Sequence, residues 1–172
     1  MNEVFLGLGG NIGNPLNTLG RACEMIGKIP GVVNFEVSNF YKTKPVSDIL
    51  QSDYINAVCK FDTDLNPDCL FIELNKIEKI LGKIPKNKNA PRIIDIDILF
   101  FGEKWIDSKN IKVPHPKWRE RLFVLIPLLD LVPYVRVPIS SSEIEDVDVK
   151  KAIDEFVNEN NEHIVLISKR LK

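Results

Sequence analysis

Asp95 and Asp97 stand two residues apart in the segment IIDIDILFF (93–101), and that spacing is the first chemical signal in the chain. On a β-strand side chains alternate faces, so the two carboxylates project together and Ile94, Ile96 and Ile98 project the other way. Two residues of strand rise set their Cα atoms about 7 Å apart. Flexible side chains can bring the oxygens to two metal ions about 3.5–4 Å apart. Mg²⁺ takes carboxylate oxygens, water and substrate phosphates, so such a pair facing a nucleotide is a suitable cradle. Spacing alone is also compatible with two solvated acids on an open sheet face. Alternation puts Ile93, Leu99 and Phe101 on the acids' own face, so that face is not simply polar, and adjacent like charges repel unless neutralised.

Cations surround the pair in sequence. Lys83, Lys86, Lys88 and Arg92 fall in the polar segment KIPKNKNAPR (83–92) immediately upstream. Polyphosphate transfer needs such groups to neutralise charge on bridging and leaving oxygens, and a basic loop can supply them on closing. His115, Arg119 and Arg121 follow about 20 residues later. Pro114 and Pro116 restrict the backbone on either side of His115 and can present its imidazole in a fixed direction. Hydrogen bonding to a phosphate and capping of the next helix are both open to it. Trp118 is compatible with packing as well as with a ligand platform, and His163 reads as structural. Gly7, Gly9, Gly10 and Gly13 match neither GxGxxG nor a P-loop, and a tight turn between a strand and a helix accounts for them.

These residues must be positioned by a regular scaffold. EVFLGL (3–8) reads as a buried strand, and Leu16, Leu19, Cys23 and Ile26 recur at helical spacing after Pro15. A strand runs from Val32 to about Tyr41, and another from Tyr54 to Phe61. Leu70, Leu74, Ile77 and Leu81 mark a helix face that ends at Gly82, and residues 93–101 form the strongest strand. The order β-α-β-β-α-β is the split βαβ arrangement of ferredoxin-like folds. It predicts an α+β fold: an antiparallel sheet with both helices on one face, plus C-terminal additions. A short strand near Trp105-Ile106, an apolar helix to about Leu131, a helix over 149–157 and a strand over 163–168 follow. Residues 140–148 are acidic and serine-rich.

The chain has 172 residues, 44% hydrophobic and 27% charged, with a net charge of -1. That length suits one domain with a real core. The charge gives no general attraction to nucleic acid or to a membrane surface, so anion binding must come from local Lys and Arg clusters. Cys23, Cys59 and Cys69 have no CxxC spacing and read as reduced thiols. No apolar run approaches the roughly 20 residues of a membrane span, and no signal-peptide pattern opens the chain. A monomeric cytoplasmic protein is expected.

The segments LGGNIGNP (8–15), FYKT (40–43), DYINAV (53–58), IEKILGK (77–83), APRIIDIDILFFG (90–102) and VPHPKWRERLFVLIPLLDLVP (113–133) occur in this order. Together they resemble the 6-hydroxymethyl-7,8-dihydropterin pyrophosphokinases of folate biosynthesis, over about residues 1–135. PR-x-x-D-x-D-I-L followed by V-P-H is the specific part. The resemblance implies a ferredoxin-like fold and transfer of the β,γ-diphosphate of ATP to the pterin hydroxymethyl group, with release of AMP. It implies that Asp95 and Asp97 hold two Mg²⁺ ions and that Arg92, His115 and Arg121 contact phosphates. Lys83 stands at a catalytic-loop position. Asn75, Glu78 and Ile98 fall on the nucleotide side, and Thr43, Val46, Tyr54, Asn56 and Phe123 on the pterin side, with Phe123 stacking on the ring.

The chain departs from the family pattern in places. Gly10 replaces a Ser, Lys83 an Arg, and Asn89 sits near an expected Trp in a loop one residue shorter; Asn110 and Pro116 stand where Arg and Tyr are common. Two other readings stay open on the residues: another two-metal nucleotidyl transferase, and a non-catalytic pterin- and nucleotide-binding relative. Residues 140–172 lie outside the resemblance and have no assigned role.

Overall fold

A computed structural model describes residues 1–45, 51–84, 90–159 and 164–168. Val46, Lys86, Lys88, Asn89 and His163 lie outside the described residues. The elements run β1 (Asn2–Gly10), α1 (Pro15–Gly27), β2 (Val32–Val37), β3 (Phe40–Thr43), β4 (Tyr54–Thr63), α2 (Pro67–Ile80) and β5 (Asp95–Phe101). They continue with β6 (Ile106–Asp107), β7 (Lys112–Val113), α3 (Leu122–Leu129), β8 (Tyr134–Pro138), β9 (Ile144–Asp148), α4 (Val149–Glu159) and β10 (Ile164–Ser168). The molecule is mixed α+β, built on an antiparallel sheet of order β10-β3-β4-β1-β5 in which β2 also pairs with β4.

Both long helices start on the same chemistry. Asn14 and Asn66 accept the N–H groups of Asn17 and Cys69 at 3.2 and 2.8 Å, and a proline occupies the first turn of each helix. Their apolar stripes, Leu19, Cys23 and Ile26 on α1 and Leu70, Leu74 and Ile77 on α2, pack in one core. That core also takes Val4, Leu6, Leu8, Ile94, Ile96 and Ile98 from the sheet. The opposite sheet face carries a second core, in which Phe5, Val58, Leu99 and Phe100 meet Trp118, α3, the β8–β9 hairpin and Phe156 of α4.

Three expectations change. The strand expected over 32–41 is two strands, parted at the buried Ser38. There the Ser38 hydroxyl, not a backbone carbonyl, accepts the Val58 N–H at 2.9 Å, while the Ser38 N–H donates to the Val58 carbonyl. Strict alternation along β5 fails after Ile98. Leu6 pairs with Ile98 but Phe5 with Phe100, so a bulge inserts Leu99 as an extra residue. Leu99 stays on the acids' face as expected, but Phe101 turns to the helix-side core and Ile93 packs there too. The stretch from 134 to 148, read only as acidic and polar beyond residue 140, is the β8–β9 hairpin with Val135, Val137 and Val147 buried.

The hairpin, α3 and α4 cover the second sheet face. Asp130, capping α3, accepts both the Asn39 N–H and the Tyr41 hydroxyl at 2.9 Å, which ties α3 to β3. Leu125 is fully buried at the centre of this core. Leu125→Ala is expected to lower the unfolding free energy by about 2–5 kcal/mol, read from urea denaturation. A loss under about 1 kcal/mol would mean that α3 is not an integral part of the core.

Candidate functional site

The covering of the second face is incomplete at the start of β5. There a cavity of about 490 Å³ opens, with Gly7, Gly9, Asp95 and Asp97 in its floor and Thr43, Tyr54, Arg121 and Phe123 in its walls. Register makes this floor. Gly7 lies opposite Asp97, and Gly9 opposite Asp95 on one side and Asn56 on the other. The two cross-strand neighbours of the carboxylates therefore carry no side chain, and the acids face open space. A Cβ on Gly9 would lie 2.9 Å from the Asn56 Oδ1. These glycines sit within β1, not in the turn expected from sequence; Gly13 beyond the strand has the positive φ, +70°.

Asp95 is enclosed by cations. Its Oδ1 accepts Lys83 Nζ at 2.7 Å and its Oδ2 accepts Arg92 at 2.5 Å. Lys83 is delivered by the end of α2: Gly82, at φ +94°, turns the chain so that the Lys83 N–H returns to the Glu78 carbonyl and the Gly82 N–H to Lys79. This is a Schellman closure, and the left-handed glycine makes it possible. The Lys83 ammonium then bridges Asp95 and Glu78, at 2.7 Å to each. Glu78 is only 4% exposed, and its Oε1 also accepts the Ile96 N–H at 2.8 Å. A buried acid on α2 thus caps a backbone donor of the edge strand between the two aspartates.

The two carboxylates titrate apart. Burial works to raise the Asp95 pKa, but the hydrogen bond and charge of Lys83, with Arg92, outweigh it and hold the group below the usual range. Burial and the neighbouring Asp95 charge push Asp97 up, against the opposing pull of Arg121. Burial also raises Glu78 despite Lys83, while for Lys83 the two acids overcome burial and stabilise its charge. Asp97 has looser partners, Arg121 at 3.7 Å and His115 Nε2 at 3.9 Å. The His115 N–H donates to the Leu99 carbonyl at 2.9 Å, which fixes the Pro-His-Pro segment against β5. Its Nδ1 accepts the Lys117 N–H at 3.2 Å, and its Nε2 lies 3.5 Å from the Arg121 guanidinium.

The opposite wall is aromatic. Asn56, buried, donates through Nδ2 to the Thr43 hydroxyl at 2.8 Å, and Phe123 in the first turn of α3 has the Arg121 guanidinium 5.5 Å from its ring centroid. One end of the cavity therefore gathers carboxylates and cations, and the other a flat ring, hydroxyls and a fixed amide. Such a site suits a polyanion at one end and a flat heterocycle at the other.

A family model described as 7,8-dihydro-6-hydroxymethylpterin-pyrophosphokinase (HPPK) matches residues 5–133. The chain is 33% identical to the 2-amino-4-hydroxy-6-hydroxymethyldihydropteridine pyrophosphokinase of Haemophilus influenzae, over 80% of this chain and 86% of that protein. The chain belongs to this family. Pyrophosphate transfer in folate biosynthesis is the activity that membership gives it. The Bacillus subtilis enzyme of the same name is 34% identical, over 91% of this chain and 97% of its own length. The folic acid synthesis protein fol1 of Pneumocystis carinii is 39% identical, but the chain spans only 21% of it. In fold the chain is similar to wild-type Plasmodium falciparum HPPK-DHPS solved with pteroate, at a TM-score of 0.69 and 16% identity, over 92% of this chain and 43% of that one.

Of the residues expected from sequence, Thr43, Tyr54, Arg92, Asp95, Asp97, Arg121 and Phe123 line the one cavity. Lys83, Glu78 and His115 reach it through the carboxylates, and Asn56 through Thr43. Ile98 is buried in the helix-side core, and the Asn75 amide donates to the Phe71 carbonyl along α2. Trp118 packs edge-on to Phe100, and Arg119 pairs with Glu145 of β9, away from the acids. Sequence reasoning passed over Gln51, Lys117 and Glu120, which also line the cavity, and Asn11. Gly7 and Gly9 were noticed, but their alternation in step with Asp97 and Asp95 was the unused signal.

Burial pushes the His115 imidazole down to about 4, and the Arg121 charge acts in the same direction. Because an unfolded histidine titrates near ~6.5, the unfolded chain binds the extra proton between these values. This group's contribution to stability is therefore lost as pH falls from about 6.5 towards 4. The His115 ring of the ligand-free protein should titrate near pH 4 by NMR. A midpoint near the unperturbed ~6.5 would show that the ring is not held neutral by its surroundings.

Proposed function

We propose that the family's reaction takes place across the Asp95–Asp97 floor. The hydroxymethyl oxygen of 6-hydroxymethyl-7,8-dihydropterin attacks the β-phosphorus of ATP and gives up its proton. The bond from that phosphorus to the α,β-bridging oxygen breaks, and AMP leaves with the electron pair. The observation that carries this reading is the meeting of the carboxylate–cation cluster and the Phe123–Asn56–Thr43 wall in one cavity.

The donor set fits Mg²⁺. Asp95 and Asp97 offer hard oxygens on one strand face, and Asp97 is held by ion pairs longer than hydrogen bonds, which leaves its oxygens available. These two residues would hold two Mg²⁺ ions. Bound there, Mg²⁺ would neutralise phosphate oxygens as charge develops. The chain's own cations take the remaining phosphate charge: Arg92 and Lys83 from the upstream side, His115 and Arg121 from beneath α3. Lys83 supplies a point charge in place of the bidentate fork of arginine. The polyphosphate would then share these cations with Asp95, which the structure shows already neutralised by two of them. Asn75, Glu78 and Ile98 belong to the nucleotide side of this reading by resemblance. Thr43, Tyr54 and Asn56 meet the polar edge of the pterin and Phe123 its face; Val46 is assigned there by resemblance alone.

The sheet order, with the two helices sharing one core, supports a ferredoxin-like βαββαβ arrangement over β1 to β5, to which the hairpin, α4 and β10 are added. The free thiols of Cys23, Cys59 and Cys69 are in keeping with a cytoplasmic enzyme, read here as a monomer. Among the described residues no helix is long and apolar enough to cross a membrane.

With Mg²⁺ and ATP, AMP should form only when hydroxymethyl-dihydropterin is added. ADP as product, or no turnover by folded protein, would refute the reading. Asp97→Ala should reduce turnover by about 10²–10³-fold or more while the circular dichroism spectrum is unchanged. Near-normal AMP formation by that variant would remove Asp97 from the metal site.

A further inference from the structure

Asn11 lies just beyond β1, is 6% exposed, and makes four hydrogen bonds to segments far apart in the chain. Its Oδ1 accepts the Arg92 N–H at 2.9 Å, and its own N–H donates to the Arg92 carbonyl at 2.9 Å. Its Nδ2 donates to Gln51 Oε1 and to the Ser52 carbonyl, both at 3.0 Å. Gln51 Oε1 in turn accepts the Tyr54 hydroxyl at 3.3 Å. A continuous path therefore runs from the Arg92 backbone, at the charged end of the cavity, through the side-chain amides of Asn11 and Gln51 to the wall at Tyr54.

That path has little slack. A Cβ on Gly10 would stand 2.4 Å from the Ile93 carbonyl oxygen, so the end of β1 and the chain at 92–93 are packed backbone to backbone. The carboxamide is the one side-chain group of this size that offers an acceptor to one segment and two donors to another. Ala would offer neither, and Asp only the acceptor.

We infer that Asn11 is a positioning residue that couples the two ends of the cavity, so that an anion engaged by Arg92 sharpens the binding wall at Gln51 and Tyr54. This rests on the proposed reading in which the Arg92 end takes the nucleotide and the Tyr54 end the pterin. Arg92 cannot shift its backbone without moving Asn11, and Asn11 cannot move without re-aiming Gln51. Coupling of this kind appears as a change in one ligand's affinity when the other is bound.

The test measures binding of hydroxymethyl-dihydropterin by calorimetry with Mg²⁺ present, without and with a saturating non-hydrolysable ATP analogue. Wild type, Asn11→Ala and Asn11→Asp are compared, each checked for a cooperative melt. Asn11→Asp keeps the acceptor for Arg92 and cuts the bonds to Gln51 and Ser52, so it serves if the alanine variant does not fold. The analogue should tighten pterin binding to wild type by about fivefold or more. In the folded variants that ratio should fall to near one, which a loss of stability alone would not produce. An unchanged ratio in the variants overturns the inference and leaves the proposed reaction standing, as does a wild-type ratio near one with both ligands bound. Failure of wild type to bind either ligand overturns the proposed reading and this inference together.

Discussion

Two like charges on one face of an edge strand repel, and much of the architecture around β5 answers that repulsion. Asp95 is neutralised by Lys83 and Arg92, while Asp97 is left with partners at 3.7 and 3.9 Å. The result is an asymmetric pair, one carboxylate firmly ionised and the other pushed up by burial and by its neighbour. Cations within reach of such a pair are already placed where a polyphosphate would need them. The same groups that make the empty site tolerable are therefore the ones that fit it for an anionic ligand.

Helix α2 contributes less through its length than through its last turn. A Schellman closure at Gly82 brings Lys83 back beside Glu78, and Glu78 reaches the Ile96 N–H on the outer edge of β5. An unpaired edge donor next to two acids is satisfied by a third acid, and that acid is balanced by the same lysine. Removing Lys83 would leave a carboxylate that is 4% exposed without its counter-charge, a costly state. Lys83 is thus a structural counter-ion as well as a candidate phosphate ligand. Both roles need a cation on a chain short enough to turn within the closure.

Much of this was legible because the signals were local. The D-x-D spacing, the helix start at Pro15 and the glycine after α2 each act within a few residues, and the elements formed where those signals lie. What was hidden depends on register. Phe101 was misassigned because a bulge at Leu99 changes face without changing composition. The break at Ser38 turns on a hydroxyl standing in for a carbonyl, and any serine looks the same in sequence. The glycines were read as a turn because their partners, Asp95, Asp97 and Asn56, are brought opposite them only by strand pairing. Asn11 stands in the LGGNIGNP segment, but its bonding role was hidden, since its four hydrogen bonds join segments about 40 and 80 residues away.

The segment after residue 133 gains a physical role that its composition concealed. The hairpin buries Val135, Val137 and Val147 behind its acidic outer positions, and α4 adds Phe156 to the same core. This core holds α3 against the sheet, and the first turn of α3 carries Phe123, with Arg121 as the cap residue. Arg121 has no capping hydrogen bond of its own side chain, so its guanidinium is free to lie between Asp97 and the Phe123 ring. The placement of that wall therefore depends on packing about residues that never approach the cavity. A loosened β8–β9 hairpin would reach the site through α3, by letting Arg121 and Phe123 drift from the carboxylate floor, with every floor residue still in place.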